Sequence, residues 1–236
     1  MKFKRYLTEV DVNAIGWPLN IFTPTVDRKA SPSDDDTTHA EEIAKILEKD
    51  SKTMLKFMRN KKIGFDRYYF KFNGPDIGTY TPHKDRKPMD TPLEVHRAID
   101  KEFNKIFGWK PRSQGVFTSM GSFEKMRFLP GRYGVFFPIG NFKAVYNNSD
   151  RIHDFYVWFR DQAYDYFNGR NWREIAEKDK NMFMLNRIIP VIKSEYSNDL
   201  NKLASTTRTE IMFKCNKYHL IRSEIFEVLE KQGFFK

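Results

Sequence analysis

The residues of this sequence that could perform chemistry are a carboxylate, two hydroxyls and an arginine, each beside an apolar run typical of a strand. Glu210 directly precedes the run Ile211–Phe213, and Thr118 and Ser119 end the run "VFTS". Arg67 lies within the aromatic stretch "FDRYYF". A carboxylate can stabilise a developing positive charge, and a guanidinium can hold a phosphate by paired hydrogen bonds. Hydroxyls can hold a sugar, so these residues could form a site for a phosphorylated sugar.

Each of these residues also has an ordinary structural interpretation. Arg67 could face solvent with its stem covered by neighbouring rings. Thr118 and Ser119 could bond local backbone where a strand ends. Glu210 could be the polar end of a buried strand. The residue types alone leave both interpretations open.

The composition and the motifs exclude several classes of protein. The sequence has 41 Lys and Arg against 31 Asp and Glu, and the net charge of +10 favours acidic partners such as nucleic acid, nucleotides or acidic proteins. The single cysteine excludes a disulfide framework and a cysteine-based metal site. No P-loop and no GxSxG motif is present. No apolar window approaches the roughly 18 residues of a membrane span, so no membrane partner is predicted.

The sequence pattern predicts helices and strands in alternation. A capping box, "THAE", predicts a helix that begins at Thr38 and continues to the basic run "RNKK". A second helix is predicted from Thr91 as cap, with Pro92 in its first turn and Gly108 at its C-terminal end. Residues 150–200 have a helical pattern. The inner face of the second helix is predicted to be Val95, Ile99, Phe103 and Ile106. Strands are predicted in "IGFDRYYFKFNG", "GVFTS", "YGVFFPIG", "FKAVY" and the two apolar runs of residues 205–222.

Strands separated by capped helices predict an α+β fold whose sheet gathers distant parts of the chain. Residues 1–36, rich in Pro, Ser and Asp, are predicted to be an arm or a targeting segment. Residues 37–236 are predicted to form a single α+β domain.

The order of these motifs resembles a known family. Arginine on an early strand, Ser/Thr on a central strand and Glu opening a late strand resemble the Arg–Ser–Glu class of mono-ADP-ribosyltransferases. The chain is more closely similar to a set of tailed-bacteriophage proteins associated with that fold. The stretches that carry the likeness lie within residues 63–222 and are "FDRYYF", "KDRKPMDTP", "FGWKPRSQGVFTS", "YGVFFPIGNFKAVY" and "TEIMFKCNKYHLI".

The resemblance implies a split mixed β-sheet with a central NAD cleft, a flanking N-terminal helix and a helical insertion. It implies that Arg67 and Ser113 bind NAD and that Ser119, or Thr118 beside it, supports the nicotinamide ribose and orients Glu210. Glu210 would then stabilise the ribosyl cation. The implied activity is transfer of ADP-ribose from NAD to a host protein or nucleic acid.

The N-terminal residues "MKFKRYLTE" are similar to targeting segments of proteins packaged in phage heads, which are cleaved after a hydrophobic-x-Glu triplet. Leu7, Thr8 and Glu9 fit that triplet. The expected location is the host cytoplasm after infection, with packaging in the virion and contact with phage head proteins as an extension of that hypothesis.

An alternative is a member of the fold that has lost catalysis. Two positions depart from the family pattern: Tyr68 follows the strand arginine where a small residue is common, and Arg208 stands two residues before Glu210 where an acidic or amide residue is common. Such a protein would act as a virion component or as a basic module that binds protein or nucleic acid.

Overall fold

Antiparallel strands and helices alternate along the chain, which confirms the predicted α+β class. In this computed structural model the described residues are 34–60, 68–71, 77–87, 91–120, 133–149, 155–200, 202 and 210–235. The predicted arm at residues 1–36 lies almost entirely outside this range, as do Arg67 and Arg208.

Eight strands of the described chain belong to one sheet, in the order β2-β8-β4-β1-β3-β7-β5-β6. Their bounds are β1 Tyr68–Lys71, β2 Ile77–Tyr80, β3 Val116–Met120, β4 Tyr133–Ile139, β5 Lys143–Asn147, β6 Tyr196–Ser197, β7 Glu210–Lys214 and β8 Lys217–Arg222. All pairings between these strands are antiparallel, whereas the resemblance implied a mixed sheet. The short strand β1 joins β2-β8-β4 to β3-β7-β5-β6.

The helices surround this sheet in sequence order. They are α1 Asp34–Asp50, α2 Lys52–Asn60, α3 Leu93–Phe107, α4 Pro111–Gln114, α5 Phe155–Tyr166, α6 Glu177–Phe183, α7 Ile189–Glu195 and α8 Ser223–Lys231, with a 3-10 turn at Trp172–Glu174 and a π turn at Met184–Ile188. Within the described ranges, no helix combines the length and the apolar character that crossing a membrane requires.

The first predicted helix differs from the prediction at its start and in its middle. α1 begins at Asp34 rather than Thr38, because three consecutive aspartates favour the positive end of a helix dipole. The helical run is then divided at the buried Ser51, which separates α1 from α2. Apolar spacing alone carried the prediction across this break.

α3 is the helix that leads to the candidate site, and it matches the prediction except at its edges. Its N-cap is Pro92 rather than Thr91. Gly108 ends it in the left-handed conformation with φ 74°, and its N–H donates to the carbonyl of Asn104. Ile106, predicted to face inward, is 40% exposed. The buried members of the predicted face are Val95, Ile99 and Phe103.

Along β7, side chains alternate between two hydrophobic clusters. Ile211 and Phe213 belong to the cluster that contains residues of α1, α2 and α8. Met212 belongs to the cluster that contains residues of α3 and α5. Because successive strand residues point to opposite faces, Glu210 shares the face of Met212. The hydrophobic pattern therefore directs the Glu210 carboxylate towards α3 and α4.

Gly115 forms the tight turn between α4 and β3, and we expect Gly115→Ala to be destabilising. Its N–H donates to the Pro111 carbonyl at 2.9 Å, and a Cβ would clash with that same oxygen. Overpacking against backbone costs about 1–3 kcal/mol in the free energy of unfolding, measurable by urea denaturation. In the control Gly78→Ala the added carbon meets the ring of Tyr80, which can rotate, so a smaller loss is expected. Equal losses would contradict a constraint specific to the α4–β3 turn.

Candidate functional site

Three adjacent strands bring the sequence motifs to one edge of the sheet. Ser119 on β3 pairs with Glu210 on β7 and, on its other side, with Tyr69 on β1. Tyr68 pairs with Met120. The beginning of β1, the end of β3 and the beginning of β7 are therefore neighbours, although they are far apart in sequence.

Thr118 is not in position to contact the Glu210 carboxylate. It is buried, and its hydroxyl donates to the Ile211 carbonyl at 3.2 Å. On β3 it shares the face of Val116, which packs in the cluster of α1, α2 and α8. Glu210 lies on the opposite face. Of the two predicted hydroxyl residues, only Ser119 has a register position opposite the glutamate.

Glu210 forms an ion pair with Arg112, a residue that the sequence interpretation did not select. The Arg112 Nη1 to Glu210 Oε1 distance is 3.8 Å, and the two side chains are only 5% and 16% exposed. The guanidinium carbon of Arg112 lies 4.7 Å from the centre of the Phe155 ring and 5.6 Å from that of Phe117. Two aromatic faces therefore support the cation beside the carboxylate.

A buried carboxylate, Asp100 on α3, holds the helix that carries Arg112. Asp100 Oδ1 accepts a hydrogen bond from the Arg112 backbone N–H at 2.9 Å. Asp100 Oδ2 accepts one from the Ser113 hydroxyl. Ser113 was predicted to bind NAD, but its side chain is buried and its proton is already given to Asp100. The geometry therefore gives Ser113 a role in holding α4.

His96 completes this buried cluster. Its Nε2 lies 3.0 Å from Ser113 Oγ, and because the serine proton goes to Asp100, the imidazole must be the donor. Nδ1 is buried and makes no hydrogen bond in the part of the chain that the structure describes. Burial lowers the pKa of His96; nearby Asp100 opposes this shift, while Arg112 and Arg86 reinforce it. The ring is therefore held neutral.

The basic loop before α3 is anchored next to this cluster. The Arg86 guanidinium carbon lies 3.9 Å from the centre of the Phe117 ring, and the Arg86 N–H donates to the Ser113 carbonyl at 2.8 Å. Phe117 thus contacts two guanidinium groups, those of Arg86 and Arg112. The sequence indicated a solvated basic loop or an anion site here, and the structure ties the loop to the scaffold of Glu210.

The single cysteine has no features of a nucleophile. Burial raises the pKa of Cys215 to about 12, so the thiolate is scarce at neutral pH. The carboxylate of Glu210 therefore remains the better candidate for chemistry at this sheet.

The chain was compared with protein families, curated proteins and solved structures, and none of them matched it.

We expect the stability of the protein to fall as the pH drops below about 6.5, the ordinary pKa of histidine, because His96 is held neutral in the fold. Its lowered pKa means that the unfolded chain binds the proton more readily, so the stabilising contribution is present above that pH and is lost on acidification. Urea denaturation at pH 7.5 and pH 5 measures this loss.

The variant His96→Gln keeps a donor near Ser113 without the titration, so its stability should depend less on pH than that of the wild type. The matched control is His83→Gln, which alters an exposed histidine and should leave the wild-type pH dependence in place. Identical pH dependence in His96→Gln and the wild type would contradict the assignment to His96.

Proposed function

We propose that this protein transfers a single ADP-ribose group from NAD to a host macromolecule, with Glu210 as the catalytic carboxylate. The observation that supports the proposal is the strand register: Ser119 pairs with Glu210, and β1, which follows Arg67, pairs with the same end of β3. The hydroxyl and carboxylate positions named by the family resemblance are thus neighbours on one sheet edge.

The chemistry of the residues around this edge fits an anionic nucleotide. Glu210 is not fully buried, and the partly buried Arg86 supplies positive charge near Phe117 on the adjacent strand. A guanidinium is suited to phosphate oxygens, and a carboxylate to a sugar that becomes positively charged. NAD supplies an activated ribose, whose bond to nicotinamide breaks with the electron pair leaving on the nicotinamide.

The roles of the chain's own groups follow from this chemistry. Glu210 stabilises positive charge on the ribose and accepts a hydrogen bond from its 2′-hydroxyl. Ser119 supports the ribose and orients the carboxylate, and Arg67 holds the phosphates, as the resemblance implies. A nucleophile on the acceptor then bonds to the anomeric carbon and gives up its proton. The net charge of +10 favours an acidic protein or a nucleic acid as acceptor.

We expect Glu210→Gln to lower ADP-ribose transfer on the order of 100-fold or more, because the amide cannot balance the charge of the ribosyl cation. The measurement uses purified protein, labelled NAD and a bacterial lysate, with release of nicotinamide followed in parallel. Glu174→Gln, which alters an exposed glutamate, is the matched control and should retain activity.

Glu210→Asp tests the same role with the charge retained. It keeps an anion beside Arg112, so the fold should persist while the carboxylate lies one methylene further from the ribose. Thermal melts of each variant show whether a loss of transfer comes from unfolding. Neither label transfer nor nicotinamide release from the wild type would overturn the proposal and favour the non-catalytic alternative.

The two neighbouring hydroxyl residues should respond differently to substitution. Ser119→Ala should lower transfer by about tenfold, comparable with the loss of one hydrogen bond in the transition state. Thr118→Val should leave transfer within about twofold of wild type, because Thr118 is bonded to backbone on the other face of the sheet. A larger loss in Thr118→Val than in Ser119→Ala, at equal stability, would contradict the register argument.

A further inference from the structure

We propose that Arg112 is the positioning residue for the Glu210 carboxylate, so that the third motif of the site depends on a short helix that no motif names. This role presupposes the proposed transfer reaction and adds a residue to its machinery. The contact that carries it is the 3.8 Å approach of Arg112 Nη1 to Glu210 Oε1.

Arg112 is built to act on another protein group rather than on a ligand. Its side chain is 5% exposed, and its guanidinium is covered by the rings of Phe155 and Phe117. Nε and Nη1 are both buried and make no hydrogen bond within the described residues. A cation enclosed in this way cannot receive the phosphate of a nucleotide without leaving its place, whereas it already lies beside Glu210.

The position of Arg112 is itself determined by the protein scaffold. The Asp100 carboxylate accepts the Arg112 backbone N–H at 2.9 Å, and the hydroxyl of Ser113 bonds to the same carboxylate. The aromatic rings restrict the side chain from two sides. Asp100 therefore fixes the backbone of Arg112, and Arg112 in turn limits where the Glu210 carboxylate can lie.

The electrostatics make this restraint strong. A buried cation is costly unless an anion lies near it, and removing one member of a buried pair leaves the other uncompensated. Glu210 is accordingly favoured as an anion whose Oε1 is directed towards α4. A carboxylate held in one orientation needs little reorganisation when positive charge develops on a ribose.

The test compares Arg112→Met, which keeps much of the side-chain volume but removes the charge, with Arg112→Lys, which keeps the charge. We expect kcat for NAD cleavage to fall on the order of 100-fold in Arg112→Met, as for misplacement of a catalytic group by about 1 Å. The KM for NAD should stay within about threefold, because a buried residue does not contact NAD. Arg112→Lys should recover part of kcat, although lysine lacks the planar group that stacks on the rings.

The control for lost stability is Leu229→Ala, a cavity in the fully buried side of α8 within the other hydrophobic cluster. Its folded fraction should keep the wild-type kcat. Crystal structures of the variants provide a readout that needs no activity: the Glu210 carboxylate should move by about 1 Å or more in Arg112→Met and remain in place in Leu229→Ala. If Arg112→Met does not fold, Arg112→Lys carries both measurements, with a smaller loss of kcat expected.

The outcomes separate this role from the proposed function. Wild-type protein without NAD cleavage, together with a displaced Glu210 in Arg112→Met, would overturn the transfer reaction and leave the positioning contact established. An active wild type whose kcat and Glu210 position are both unchanged in Arg112→Met would overturn the positioning role alone. A rise in KM with unchanged kcat would also overturn it, because it would indicate direct contact with NAD.

Discussion

The buried carboxylate of Asp100 is the interaction on which the candidate site depends. A carboxylate in the interior is costly unless donors satisfy it, and here the donors are the Arg112 amide and the Ser113 hydroxyl at the start of α4. Meeting that requirement fixes α4 against α3, and α4 leads through Gly115 directly into β3. The same contact thus determines where the Arg112 side chain lies and where the central strand of the site begins.

The second constraint is the alternation of side chains along β7. Ile211 and Phe213 are fully buried in one cluster and Met212 in the other, so a slip by one residue would exchange their environments. Such a slip would also turn Glu210 away from Arg112. Burial of three apolar side chains therefore orients a polar one, and a strand register set by packing becomes the register of the proposed chemistry.

These two constraints give the proposed reaction a physical basis beyond residue identity. A carboxylate at a strand start is common, but Glu210 is paired with a cation that two aromatic rings and a capped helix hold in place. Fixed charges of this kind are what transfer of a cationic sugar requires. The non-catalytic alternative would need the same buried pair only for stability, where a buried ion pair is a weak contributor compared with apolar packing.

The sequence by itself determined the fold class, most strands and the left-handed end of α3 at Gly108, because these depend on local apolar spacing and on backbone preferences of single residues. It also marked Glu210 and Ser119 as candidates. It misplaced the start of α1 and the exposure of Ile106, since helix dipoles and tertiary packing overrode apolar spacing there. Only the tertiary structure decided that Thr118 faces away from Glu210, that Ser113 belongs to a buried network and that Arg112 is the partner of the glutamate. Those facts depend on strand register and on contacts between residues far apart in sequence, which no local pattern encodes.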